Sequence, residues 1–293
     1  MKNQYIGDIG DYGKYSLLRA FAKEGIRIGV NWYLTEDDNG SDGKHTKYLD
    51  HEEERLYDPE LFSCLKKLVK ANRRDVIAFE TEGMIADAVY YNDLLDISNV
   101  HRIEAKRAER SRWHLAAMKN LQEAELVFLD PDNGLSTDDR SVRKNSVKYA
   151  FASEAADYFN RGQNIVYYCH KGRRTPAQWE DAKKILSNYI PEAILIALTF
   201  HRGTQRTFIF AIHEEDFEQY EDIIKGFMES EWKEVFEIES VNGTYRGRRT
   251  AFAGPAIGTV YPKGTTVQWN PDGTISLIPP VDGDDIKTYT RKR

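Results

Sequence analysis

Leu126-Val127-Phe128-Leu129-Asp130-Pro131-Asp132-Asn133-Gly134 is an apolar run that stops abruptly at two acids. Four apolar residues met at once by turn formers read as a short buried strand. In open α/β sheets, ligands sit just beyond the carboxyl ends of the strands. This reading therefore puts Asp130, Asp132 and Asn133 at a crevice as catalytic candidates. Pro131 removes a backbone donor and stiffens the turn, and Asn133-Gly134 suits a tight reversal beneath the acids.

Working outward, a second strand of the same kind, Asn164 to Cys169, stops at His170-Lys171-Gly172-Arg173-Arg174. Upstream, Ile26 to Leu34 reads as a buried strand and is followed by a polar loop over 35–43. Apolar spacing predicts helices over Lys14–Lys23, Tyr57–Asn72, Arg107–Glu123, Lys148–Arg161, Pro176–Tyr189 and Phe217–Glu231. Asp58 and Pro59 supply a helix start. Ile103 reads as part of a short strand, and Glu192–Phe200 with Thr207–Ile212 as two strands of a hairpin. Strands alternating with helices through residue 190 give an α/β fold, a mostly parallel sheet flanked by helices. The expected division is 1–245 for this domain and 246–293 for a small β-rich appendage with a basic tail, Arg291-Lys292-Arg293. A Pro-Asp-Gly turn at 271–273 is its hairpin signal.

With 293 residues, 41% hydrophobic and 12% aromatic, the chain has material for a true core. A formal charge of −6 argues against a surface uniformly coated for nucleic acid and leaves only local basic segments for that role. Two cysteines, Cys64 and Cys169, make no disulfide framework, so a reducing cytoplasm is the expected location. No stretch approaches the roughly 18 apolar residues of a membrane helix, so no membrane partner is expected. Oligomeric state is not indicated.

Tyr5 to Tyr15 places Gly7, Gly10 and Gly13 among Asp8, Asp11 and Lys14, ahead of the first helix. Glycines at a helix entrance let backbone approach a ligand, and a helix N-terminus favours anions. The spacing is not the dinucleotide fingerprint. An alternative reading is a plain N-cap with acid near the helix dipole.

The Gly10-Asp11-Tyr12-Gly13-Lys14-Tyr15 segment, the strand and polar loop at 26–43, and Asp130-Pro131 together resemble the bacterial large-subunit ribosomal RNA adenine-N6 methyltransferase family. The likeness lies in the order of elements over about residues 5–212 and in very few identities. It implies a Rossmann-like, methyltransferase-like sheet, S-adenosylmethionine as cofactor and nucleic acid as substrate. On that reading Asp130 orients a target amine. Asp8, Gly10, Asp11, Lys14 and Trp32 shape the cofactor or base pocket, and His170, Lys171 and Arg173 hold phosphate. Asp132 and Asn133 stand where that family's motif has its second proline and its aromatic. Gly29 to Leu34 lacks a glycine-rich turn for the cofactor.

Two other readings use the same residues. Asp8, Asp11, Asp130 and Asp132 are candidate ligands for Mg²⁺, with His170–Arg174 supplying charge for a phosphate in a nuclease or phosphohydrolase. A catalytically inactive module that recognises nucleic acid or a protein is the third. Arg107, Arg110 and His114, with Trp113 for stacking, form a basic helical segment suited to a nucleic-acid backbone, as does Arg174. Cys169 reads as a small buried residue in preference to a nucleophile.

Overall fold

The computed structural model describes residues 1–38, 40, 42–137 and 144–241, with three further strands at 266–269, 275–278 and 289–291. The chain divides into two compact units, Met1–Val241 and Asn242–Arg293. The larger unit opens with α1 (Ile9–Lys23), β1 (Ile28–Asn31), α2 (Pro59–Lys70), α3 (Val76–Thr81), β2 (Val89–Tyr91) and α4 (Ile103–Asn120). It continues through β3 (Leu126–Leu129), β4 (Leu135–Ser136), β5 (Ala150–Phe151), α5 (Ala152–Asn160), β6 (Asn164–His170) and α6 (Pro176–Lys183). It ends with β7 (Ile194–Phe200), β8 (Arg206–Ile212), α7 (Phe217–Glu229) and β9 (Phe236–Ser240).

Seven strands form one sheet in the order β2-β1-β3-β6-β8-β7-β9. The neighbours from β2 to β6 are parallel. β8 is antiparallel to both β6 and β7, and β9 is antiparallel to β7. β2, β1, β3, β6 and β7 therefore share one direction, opposed by β8 and β9. The expected mixed α/β architecture with a mostly parallel sheet is thus present. β1 and β3 are buried along their whole length, as parallel strands covered on both faces must be.

Alternation along the strands divides the core. Val127, Leu129, Ile165 and Tyr167 belong to one cluster with Trp113 and Ala117 of α4, Leu121 at its C-cap, and Ala155 and Phe159 of α5. On α1, Phe21 stacks on Phe210 of β8 at 5.2 Å and meets Tyr220 of α7 at 5.3 Å. Phe128 of β3 faces Phe208 at 6.4 Å. Asp58 caps α2 by accepting from the Leu61 amide at 3.1 Å, with Pro59 at the first turn as the sequence predicts.

Several boundaries differ from the sequence reading. Ile103 begins α4 and is not in a strand. α1 starts five residues early, at Ile9, so Gly10, Asp11, Gly13 and Lys14 are helical. The six residues of α3 and the three of β2 are too few to show a period. β9 alternates apolar and acidic residues, Phe236-Glu237-Ile238-Glu239, and that alternation was its signal.

In the smaller unit, β10 (Thr266–Trp269), β11 (Ile275–Ile278) and β12 (Tyr289–Arg291) form an antiparallel sheet. Its 271–273 turn and residues 292–293 lie outside the described residues. Among the described residues, no helix is long and apolar enough to cross a membrane.

Candidate functional site

A cavity of about 800 Å³ opens where β3 and β6 end, beside the start of α1 and of β8. Because β8 runs against β6, its first residue, Arg206, reaches the same edge as His170 at the end of β6. The cavity walls include Asp8, Gly10, Asp11 and Lys14 from α1 and its cap, and Asp130, Asp132 and Asn133 after β3. His170, the last residue of β6, and Lys171 and Arg173 beyond it line the cavity too. Ten candidates that are up to about 165 residues apart in sequence thus line one space.

Their roles are unequal. Asp8 caps α1, accepting from the Gly10 amide at 3.0 Å, and also accepts from the His45 amide at 3.0 Å. Its Oδ1 pairs with Arg206 Nη2 at 2.7 Å. Both oxygens are committed within the protein. A Cβ on Gly10 would collide with the Arg206 guanidinium, so this glycine admits Arg206, not a ligand phosphate.

Lys14 Nζ lies 2.7 Å from Asp11 Oδ1 and 2.8 Å from Asp130 Oδ2, and all three residues are buried. The rings of Tyr15 and Trp32 lie 4.7 and 5.7 Å from the same ammonium. Burial works against the charge on Lys14, but Asp11 and Asp130 outweigh it and raise its pKa. Burial pushes the Asp11 carboxyl up to about 6 against the pull of Lys14. Lys14 therefore already pairs with two of the four acids that the phosphohydrolase reading assigns to Mg²⁺. Among the described residues, no three His, Cys, Asp or Glu side chains gather as metal ligands.

Asp132 is different. Its Oδ1 sits 2.9 Å from the Met1 ammonium as an ion pair, but neither oxygen has a hydrogen-bond partner among the described residues although the side chain is only 6% exposed. The turn that holds it is packed and hydrogen-bonded. Gly134 has φ +97°, and a Cβ there would lie 2.6 Å from Cys169 Sγ. The Asn133 amide donates to the Lys148 carbonyl at 2.9 Å. Burial pushes the Cys169 thiol up to about 12, which suits its reading as a packed residue.

The sequence reading passed over Tyr168 and Lys148, and gave Tyr5 no role, although all three line the cavity. Tyr168 was legible as the residue two before His170 on the same face of a strand; Lys148 has no local signal. Burial raises both phenols, helped at Tyr5 by Asp132, so their hydroxyls stay protonated. Burial, with Arg174 and Arg206 nearby, lowers the His170 pKa. This favours the neutral imidazole, which keeps one N–H donor, so positive charge for a phosphate comes from Lys171 and Arg173.

Other candidates lie elsewhere. Trp32 is fully buried and donates to Glu80 Oε1 at 2.7 Å, a core residue and not part of a pocket. Arg110 forms a fork with Glu154 at 2.6 and 2.8 Å, donates to the carbonyls of Ser146 and Tyr149, and lies 3.6 Å over the Phe151 ring. His114 pairs with Asp157 at 3.0 Å, and the Trp113 indole donates to the Asp93 carbonyl at 2.9 Å. This basic segment is therefore turned inward, except for exposed residues such as Arg107, which is outside the cavity. Arg174 donates to the His170 carbonyl at 2.9 Å and closes the turn after β6.

S-adenosylmethionine does not fit against the end of β1 in this arrangement. Tyr33 follows Trp32 into the core, and the Met1 ammonium donates to the carbonyls of Tyr33 at 3.1 Å and Asp130 at 2.9 Å. Met1 is thus buried against the residues that follow β1 and β3.

No family model matches the sequence, and no curated protein matches it. Among solved structures, it is similar to the crystal structure of protein LPL1258 from Legionella pneumophila, of the DUF519 family model, with 12% identity over 81% of this chain and 98% of that one at a TM-score of 0.41.

Proposed function

We propose that this chain is a methyltransferase-like enzyme that binds a nucleotide-like ligand in the β3–β6 cavity and acts on nucleic acid. The carrying observation is that three kinds of chemistry gather around that one cavity. Asp11, Asp130 and Asp132 line it together with Lys148, Lys171 and Arg173 and with the rings of Tyr5 and Tyr168. A nucleotide needs these three kinds of partner: cations for phosphate, a ring face for the base, and an acceptor for its polar edge. The volume falls in the range of small-molecule sites, and the position beyond the strand ends is where α/β sheets bind ligands.

Methyl transfer from S-adenosylmethionine would require the Met1 segment to leave the end of β1. The residues around the cavity have roles that do not depend on that movement. Lys171 and Arg173 place phosphate, Tyr5 and Tyr168 hold a base face, and the neutral His170 is available to take a proton.

The test is thermal shift of the whole protein with short DNA and RNA oligonucleotides, nucleoside monophosphates and S-adenosylmethionine, each added separately. A ligand that binds the native state raises Tm with concentration. Stabilisation by nucleotides is expected, and it should be lost in the double variant Lys171→Ala, Arg173→Ala. No response to any nucleotide or oligonucleotide would sink the reading. Stabilisation by S-adenosylmethionine as well would support the methyltransferase part.

A further inference from the structure

We propose that Asp132, and not Asp130, is the carboxylate that receives the exocyclic amine of a bound nucleobase. The inference rests on the reading of the cavity as a nucleotide site. It reverses the assignment implied by the family resemblance, in which the first acid after the strand has that task.

The geometry separates the two acids. Asp130 Oδ2 is held by Lys14 at 2.8 Å, and Lys14 is held in turn by Asp11 at 2.7 Å. A donor arriving at Asp130 would have to compete with a buried ammonium. Asp132 pairs through Oδ1 with the Met1 ammonium at 2.9 Å, and its Oδ2 remains without a hydrogen-bond partner among the described residues. A buried carboxylate oxygen left unpaired is costly, and a ligand donor would relieve that cost. Asp132 also lines the same cavity as the two tyrosines. A base held against either ring would bring its polar edge toward Asp132.

The turn fixes this position. Gly134 packs on Cys169, and Asn133 is tied to Lys148 through its backbone, so the backbone that carries Asp132 is held on its C-terminal side. Asp130 is then a positioning residue. It anchors Lys14, and its carbonyl accepts from the Met1 ammonium that pairs with Asp132.

An ionised carboxylate accepts and does not donate. It therefore favours adenine or cytosine over the same ring without the amine. The experiment is isothermal titration of the whole protein with adenosine and cytidine monophosphates, each compared with its amine-less ring analogue (purine riboside and zebularine monophosphates). For the better-bound amine base, a preference of roughly ten- to a hundredfold is expected from one charge-assisted hydrogen bond. In Asp132→Ala the preference should fall to within about threefold, while Asp130→Asn should weaken both ligands together. If Asp132→Ala does not fold, ¹³C-carboxyl spectra of the unmodified protein decide. The amine ligand should move the Asp132 resonance, and its analogue should not.

Equal binding of the two members of a pair would overturn the proposal and leave the nucleotide reading standing. A preference that persists in Asp132→Ala would do the same. If none of the four ligands binds, the nucleotide reading fails and this assignment falls with it.

Discussion

Lys14 Nζ donates to Asp130 Oδ2 at 2.8 Å across 116 residues of chain, and this buried pair ties the first helix to the end of β3. With Asp11 on the same ammonium, two carboxylates depend on one cation. Replacing Lys14 by methionine keeps most of the side-chain volume and leaves both acids buried without it. Breaking such an arrangement by removing one partner costs about 3–5 kcal/mol. Urea unfolding of Lys14→Met should show a loss of that order; a loss below about 1 kcal/mol would mean that the triad adds little.

Asp11 gives a pH signature. Burial carries its carboxyl from an ordinary 3.8 to about 6, against the pull of Lys14. Its folded value lies above its unfolded value, so its contribution is fully present below about pH 3.8 and lost as pH rises through about 6. Asp11→Asn removes that titration. Chemical unfolding measured from pH 4 to pH 7 should show the variant gaining stability relative to the parent as pH rises. A constant difference would rule out the raised carboxyl.

Glu154 runs the other way. Burial opposes its charge, but Arg110 overcomes burial and holds the carboxyl below its usual range. Its contribution is present above an unfolded value near 4.5 and lost as pH falls through the lower folded value. Arg110→Lys keeps one charge but loses the planar fork that serves Glu154 and two carbonyls. A loss of about 2–4 kcal/mol is expected, with oligonucleotide affinity unchanged in the fraction that remains folded. A large drop in affinity with stability intact would restore α4 as a nucleic-acid surface.

Gly134 sits at φ +97° against Cys169. Alanine there meets both backbone strain and the sulfur, a penalty of about 1–3 kcal/mol. Cys169→Ala removes the sulfur, so the double variant should recover part of the loss in a double-mutant cycle. Strict additivity of the two single changes would show that the contact does not matter.

Arg173 and Lys171 belong to the phosphate side of the proposed site. If each neutralises one phosphate, Arg173→Ala should weaken binding of oligonucleotides of every sequence alike and reduce the slope of log K against log salt by about 1. Filter binding or fluorescence anisotropy at several salt concentrations checks this. An unchanged slope would place the phosphate contacts elsewhere.

Much of the sheet was legible because its signals are local. Leu126–Leu129 and Asn164–Cys169 are apolar runs closed by turn formers, and Asp58-Pro59 announces α2. Ile103 was misread because one apolar residue between charged neighbours carries no period. Arg110 and His114 looked like a basic face because their partners, Glu154 and Asp157, are more than forty residues away. Trp32 looked like a pocket wall because nothing nearby announces Glu80 and the aromatic cluster that bury it.

The amino-acid sequence by itself determined where the strands stop, and so which end of the sheet carries acids and bases, because burial and turn formation depend on neighbouring residues. Only the tertiary structure decided which of those groups is left without a hydrogen-bond partner. Asp130 and Asp132 are two residues apart and chemically identical, yet a lysine from the first helix takes up one while the other keeps an unpartnered oxygen. The free energy of a buried charge is set by what folds against it, and that partner comes from a distant part of the chain.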